Sequence, residues 1–151
     1  MSNKRIALLG STGSIGLQAR DIVRSHPGDF SVEVLTASTN SDLLIDQALE
    51  FRPDTVVIAN TGHYEKVSEA LAEAGIKVFA GNDSVSQVVS HGNVDIVVNA
   101  IVGFAGFEPT VRSLEAGKTV ALANKESIVA GGALVSSLIA RGKGRIIPVD
   151  S

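Results

Sequence analysis

The 151 residues carry 13 Lys and Arg against 16 Asp and Glu, a formal net charge of −3, and no cysteine or tryptophan. That balance, without a basic run or a set of stacking aromatics, excludes a general nucleic-acid-binding surface. The missing cysteines exclude disulfides, thiolate metal sites and a thiol nucleophile together. Hydrophobic residues make up 44% and the mean hydropathy is +0.26, yet no apolar stretch is as long as a membrane span, and Met1-Ser2-Asn3-Lys4-Arg5 leads straight into a strand pattern without a signal-peptide core. One soluble, cytoplasmic domain with an aliphatic core is expected.

Short Val- and Ile-rich runs alternate with helical periodicity along the whole chain. Strands are predicted over 5–9, 32–36, 55–59, 77–80, 95–99, 119–122 and 145–149, and helices over 15–25, 41–51, 62–74, 83–90, 108–116 and 127–140. The punctuation agrees: Asn40-Ser41-Asp42 offers an N-cap, Pro53 follows the second helix, and Gly75, Gly117 and Gly142 stand where helix C-caps belong. Strands each followed by a helix imply βα units and right-handed crossovers. The expected fold is a doubly wound, Rossmann-like α/β domain, its mostly parallel sheet covered by helices on both faces.

The first strand breaks into Gly10-Ser11-Thr12-Gly13-Ser14-Ile15-Gly16 before a helix begins. Glycines at such a turn allow a tight bend and close approach of a ligand, and the helix N-terminus offers unpaired N–H groups and a positive dipole end to a pyrophosphate. A purely structural βα turn would use the same residues. At the end of the second strand, where a carboxylate would hold the ribose 2′-OH of NAD and an Arg the 2′-phosphate of NADP, the chain has Ala37-Ser38-Thr39-Asn40. A 2′-phosphate is neither repelled there nor clamped by a cation, and the same polar residues suit an N-cap for the next helix.

After the fifth strand, Asn99-Ala100-Ile101-Val102-Gly103-Phe104-Ala105-Gly106 is a run of small residues that lets the backbone approach a flat ring, or forms a plain loop. After the sixth, Asn124-Lys125-Glu126 sets amide, ammonium and carboxylate in succession at a predicted helix start. Asn124 as N-cap and Glu126 in the first turn suit the helix dipole, whereas the charge of Lys125 opposes it and suggests an anionic partner. Asp150 closes the last strand as a possible metal ligand or general base. His26, His63 and His91 have no metal-type spacing and receive no role. Ala116-Gly117-Lys118-Thr119 imitates the tail of a P-loop, but Arg112 occupies the position that requires its first glycine.

In this order GSTGSIG, AIVGFAG, ALANKES and PVDS resemble the 1-deoxy-D-xylulose 5-phosphate reductoisomerase family, and the resemblance runs the length of the chain, which looks like that family's N-terminal NADPH-binding domain. It implies a homodimeric, NADPH- and divalent-metal-dependent enzyme (Mg²⁺, Mn²⁺ or Co²⁺) of the non-mevalonate isoprenoid pathway. The implied reaction is a metal-assisted rearrangement of a small phosphorylated sugar followed by hydride transfer. By position, the resemblance assigns Thr12, Gly13, Ser14 and Ile15 to the cofactor pyrophosphate and Ala37, Ser38, Thr39 and Asn40 to the adenosine 2′-phosphate. Ala100, Ile101 and Val102 go to the nicotinamide half, with Asn124 and Glu126 also on the cofactor. Lys125 matches the substrate-binding lysine at the reacting centre, Ser151 a substrate contact and Asp150 a metal ligand.

Two departures stand out. The family usually has Gly and then Lys or Arg where this chain has Ser38-Thr39, which lowers the expected preference for NADPH. The Glu that follows PVDS in the family, and a second Glu farther downstream, are not in these residues, so the chain is expected to be an inactive fragment by itself. Two other readings fit the glycine loop: a different NADP-dependent two-domain reductase, and a stand-alone nucleotide-binding module. A phosphoacceptor receiver is disfavoured, because glycine and serine replace the acidic pair expected after the first strand.

Overall fold

The computed structural model describes residues 3–123 and 132–148. Seven strands, β1 (Lys4–Leu9), β2 (Phe30–Ala37), β3 (Thr55–Ile58), β4 (Lys77–Ala80), β5 (Ile96–Asn99), β6 (Thr119–Leu122) and β7 (Arg145–Pro148), form one sheet in the order β4-β3-β2-β1-β5-β6-β7. Every neighbouring pair is parallel, so each strand must be followed by a crossover. Helices α1 (Ser14–Ser25), α2 (Ser41–Phe51), α3 (Tyr64–Leu71), α4 (Asn82–Val88), α5 (Phe107–Glu115) and α6 (Gly132–Ala140) lie in those crossovers.

Strand alternation sorts the core into two layers. Ile6 and Leu8 of β1 join Val23 of α1, Leu44 and Ala48 of α2 and Val67 and Leu71 of α3 on one face. Ala7 and Leu9 join Val85 and Val88 of α4, Leu114 of α5 and Val135 and Leu138 of α6 on the other. Burial on both faces is why these strands read as near-continuous aliphatic runs. The expected doubly wound fold is the one observed. No helix among the described residues is long and apolar enough to cross a membrane.

The largest departure from expectation is in the third helix, and the second, which spans the predicted 41–51, ends on a cap that the periodicity does not report. The predicted helix over 62–74 opens instead as a 3₁₀ turn, Thr61–His63, because the Asn60 side chain accepts the Gly62 N–H at 2.9 Å and draws the chain into a tighter turn. The regular part is then only Tyr64–Leu71. At the end of α2 a left-handed cap is supplied by Arg52 (φ +53°), whose N–H donates to the Ala48 carbonyl at 2.9 Å, and Pro53 prevents continuation. Gly117 (φ +78°) and Gly142 (φ +74°) follow their helix ends as expected, whereas α3 is capped at Ala72 and Gly75 (φ +72°) closes the turn three residues later.

Candidate functional site

The sheet order reverses direction between β1 and β5, and in open α/β sheets the crevice beyond the strand ends at that point is where ligands bind. Here it is a cleft of about 430 Å³. Its walls are the glycine loop (Gly10, Thr12, Gly13), the end of β2 (Ala37, Ser38) and the segment after β5 (Ala100, Ile101, Val102). All three were singled out from the sequence.

The three glycines are constrained differently. Gly10 has φ +73°, and a side chain on it would press on the Ala100 backbone at 3.0 Å. A Cβ on Gly16 would overlap the Gly10 carbonyl oxygen and the Ser11 backbone, so glycine there sets how closely α1 packs on the loop. Gly13 meets only the Gly10 oxygen, at 3.7 Å, an ordinary contact. The protein's own packing does not require glycine at 13, which leaves space for close approach of a ligand.

The loop is fixed from behind. Gly10 N–H donates to the Thr36 hydroxyl at 3.1 Å, Ser11 N–H to the Thr36 carbonyl at 2.9 Å, and the buried Gln47 amide of α2 donates to the Ser11 carbonyl at 3.0 Å. Gly13 is the N-cap of α1, no side chain caps that helix, and no acidic residue stands in its first turn. Its leading N–H groups therefore remain for an external acceptor, and the dipole favours an anion there. By contrast α2 is capped, Asn40 accepting the Leu43 N–H at 3.2 Å, and carries Asp42 in its first turn. The cap reading of Asn40 is thus realised.

The opposite wall hangs on Asn99. Fully buried at the end of β5, it donates from Nδ2 to the Gly106 carbonyl at 2.9 Å and to the Thr110 hydroxyl at 2.8 Å, and its Oδ1 accepts the Ile101 N–H at 3.2 Å. One side chain thereby ties β5 to the 3₁₀ turn Gly103–Gly106 and to α5. Val102 and Phe104, 83% and 74% exposed, stand as apolar surface at the cleft wall. Among the described residues the only charged one lining the cleft is Glu108, which pairs with Arg112 at 3.7 Å.

Of the other assigned residues, Ser14, Ile15, Thr39 and Asn40 flank the cleft without lining it. Asn124, Lys125, Glu126, Asp150 and Ser151 lie outside the described residues. Among the described residues no group of three or more His, Asp or Glu could hold a metal ion. Reasoning from sequence missed Asn82 and Ser86 of α4, which complete the cleft. Their one signal is the i, i+4 spacing of two polar side chains on a helix whose place depends on the strand order. Gly117-Lys118-Thr119, the P-loop look-alike, enters β6 at the opposite edge of the sheet.

A parallel sheet with a glycine-bounded cleft at its switch point and an uncapped helix N-terminus beneath defines the class: a doubly wound domain of the dinucleotide-binding type. Residues 6–132 match the protein family described as 1-deoxy-D-xylulose 5-phosphate reductoisomerase. The chain is 47% identical over 148 residues to the reductoisomerase of Phocaeicola vulgatus, covering 98% of this chain and 39% of that protein. It is 49% identical to that of Porphyromonas gingivalis, covering 98% and 38%. Among solved structures, the Zymomonas mobilis reductoisomerase in complex with NADPH superposes with a TM-score of 0.94 at 35% identity, over 99% of this chain and 39% of that one. A DOX-P reductoisomerase with NADPH, fosmidomycin and magnesium gives 0.93 at 35%, over 98% and 36%. The chain belongs to the 1-deoxy-D-xylulose 5-phosphate reductoisomerase family and spans about 39% of the length of the first of these relatives.

Proposed function

We propose that these residues form the NADPH-binding portion of an enzyme that converts 1-deoxy-D-xylulose 5-phosphate into 2-C-methyl-D-erythritol 4-phosphate, a step of non-mevalonate isoprenoid synthesis. The observation that carries the reading is the uncapped N-terminus of α1 under a loop that leaves space at Gly13. The pyrophosphate sits on that helix end, near Thr12, Gly13, Ser14 and Ile15. The adenosine lies toward Ala37, Ser38, Thr39 and Asn40, and the nicotinamide along Ala100, Ile101 and Val102. When bound, the dihydronicotinamide supplies the hydride. The chain's own contribution is orientation: Asn99 holds the wall against which the ring rests, and Val102 and Phe104 offer apolar surface from which water is excluded.

The remaining assignments rest on family membership: Asn124 and Glu126 on the cofactor, Lys125 and Ser151 on the phosphorylated substrate, and Asp150 as one ligand of a divalent cation, in a cytoplasmic homodimer. A solved relative that holds NADPH, fosmidomycin and magnesium together supports the cofactor and the divalent cation. Since one metal ligand alone falls within these residues, the 151-residue chain is expected to bind NADPH without turning over substrate. Calorimetric titration with NADPH, alongside a product assay with Mn²⁺, tests both halves. No binding would refute the cofactor assignment, and product formed by these residues alone would refute the division of labour.

A further inference from the structure

We propose that His63 is the cation that reads the 2′-phosphate of the cofactor's adenosine, in place of the basic residue that the β2–α2 loop lacks; this rests on the dinucleotide reading above. The loop offers hydroxyls and an amide at Ser38, Thr39 and Asn40 but no positive charge. The β3–α3 connection is laid directly along it. Ala59 N–H donates to the Ala37 carbonyl at 2.8 Å and Asn60 N–H to the Ser38 carbonyl at 3.0 Å. The Asn60 cap then curls the chain through Thr61–His63, and the imidazole comes to rest against the first residue of α2, with Nδ1 3.4 Å from the Ser41 hydroxyl. Ser41 is buried, and its N–H donates to the Thr39 carbonyl at 2.8 Å. The half-buried ring is therefore stationed beside the Thr39-Asn40-Ser41 turn, and among the described residues its Nε2 has no partner.

The other charges around it are engaged or of the wrong sign. Asp42 on α2 is paired with Lys66 on α3 at 2.6 Å, which commits that ammonium. Asp46 and Glu50 on α2, Tyr64, Glu65 and Glu69 on α3 and Asp83 at the start of α4 are the other titratable groups on these elements. Among the described residues His63 is thus the base beside this turn that no carboxylate engages. Sequence spacing gave His63 no role because metal binding was the criterion. Its position beside α2 depends on a turn that the spacing does not reveal.

The test compares NADP⁺ with NAD⁺, which differ only in the 2′-phosphate and tolerate acid, by calorimetry on the wild type, His63→Gln and His63→Lys from about pH 5.5 to 8. The phosphate itself gains charge near pH ~6 in every variant, so the wild type is read relative to His63→Gln. At pH ~6, His63→Gln should lose about tenfold in NADP⁺ affinity with NAD⁺ affinity unchanged, as expected for losing one charge-assisted hydrogen bond. His63→Lys, which keeps a cation at this position, should bind NADP⁺ at least as tightly as the wild type. Equal losses for both dinucleotides would make His63 a buttress of α2, and no loss would make it a bystander; either overturns the proposal. A wild type that binds neither dinucleotide would overturn the cofactor reading itself, and this inference with it.

Discussion

Gly13 and Gly16 belong to one loop but answer to different constraints, and substitution separates them. Gly16→Ala puts a Cβ against the Gly10 oxygen and Ser11 backbone, where no flexible side chain can yield. Overpacking of that kind costs about 1–3 kcal/mol, and chemical denaturation should report a loss in this range. Gly13→Ala has room in the protein itself. Its weaker N-capping and its reduced unfolded-state entropy oppose each other, so stability should stay within about 1 kcal/mol. The new methyl group instead occupies the space kept for the pyrophosphate, and NADPH affinity should fall at least about tenfold, or ~1.4 kcal/mol. Unchanged NADPH affinity in Gly13→Ala would remove the phosphate from this loop. Both glycines were legible as a motif. Which of them answers to packing and which to a ligand was not, because that depends on how near the Gly10 carbonyl lies to each.

Among the elements, the segment from β5 to α5 shows what a sequence conceals. Its strand and helix were readable from the aliphatic run and the helical period, as were the other βα units, because turn residues bracket each run. Asn99 was read as the last residue of a strand and the opening of a small-residue loop, whereas its partners are supplied by Gly106 and Thr110, well beyond the local window. Likewise the 3₁₀ turn at Thr61–His63 and the left-handed Arg52 depend on hydrogen bonds that periodicity does not report. The strand order, which brings α4 to the cleft, also lies beyond any local pattern. Asn99→Ala removes a buried anchor with three hydrogen bonds, although Thr110 keeps its bond to the Gly106 carbonyl. A loss of about 2–3 kcal/mol in unfolding free energy is expected, since each bond contributes roughly 1 kcal/mol. NADPH affinity should weaken as well, because the wall from Ala100 to Val102 loses its fixed position. A variant with wild-type stability and affinity would show that the wall is held by something else.

Across the whole molecule the two halves of the sheet meet at the β1–β5 seam, with the cleft at one end and a charged clasp at the other. The Asp95 carboxylate accepts the Arg5 backbone N–H at 2.9 Å and the guanidinium at 3.1 and 3.2 Å, while Asp95 N–H donates to the Arg5 carbonyl at 2.8 Å. Beside it Lys118 donates to the carbonyls of His91 and Val94 at 2.7 and 2.6 Å, and burial lowers its pKa. Hydrogen bonds from the Arg5 side chain and then its backbone hold the Asp95 carboxyl down to about 2. An unfolded aspartate titrates near ~3.9, so the unfolded chain takes up this proton first as pH falls. The clasp therefore stabilises the fold fully above about pH 4, and that contribution disappears as pH falls toward about 2. Asp95→Asn should lower the urea midpoint at neutral pH and flatten its decline across that acid window. Because both side chains are partly exposed, at 43% and 34%, added salt should shrink the difference between wild type and variant. Urea midpoints for the two proteins at about pH 7, 4 and 2.5 decide the matter. Parallel declines through the acid window would mean that the seam is held by its aliphatic layers alone, and that Arg5 and Asp95 only decorate its end.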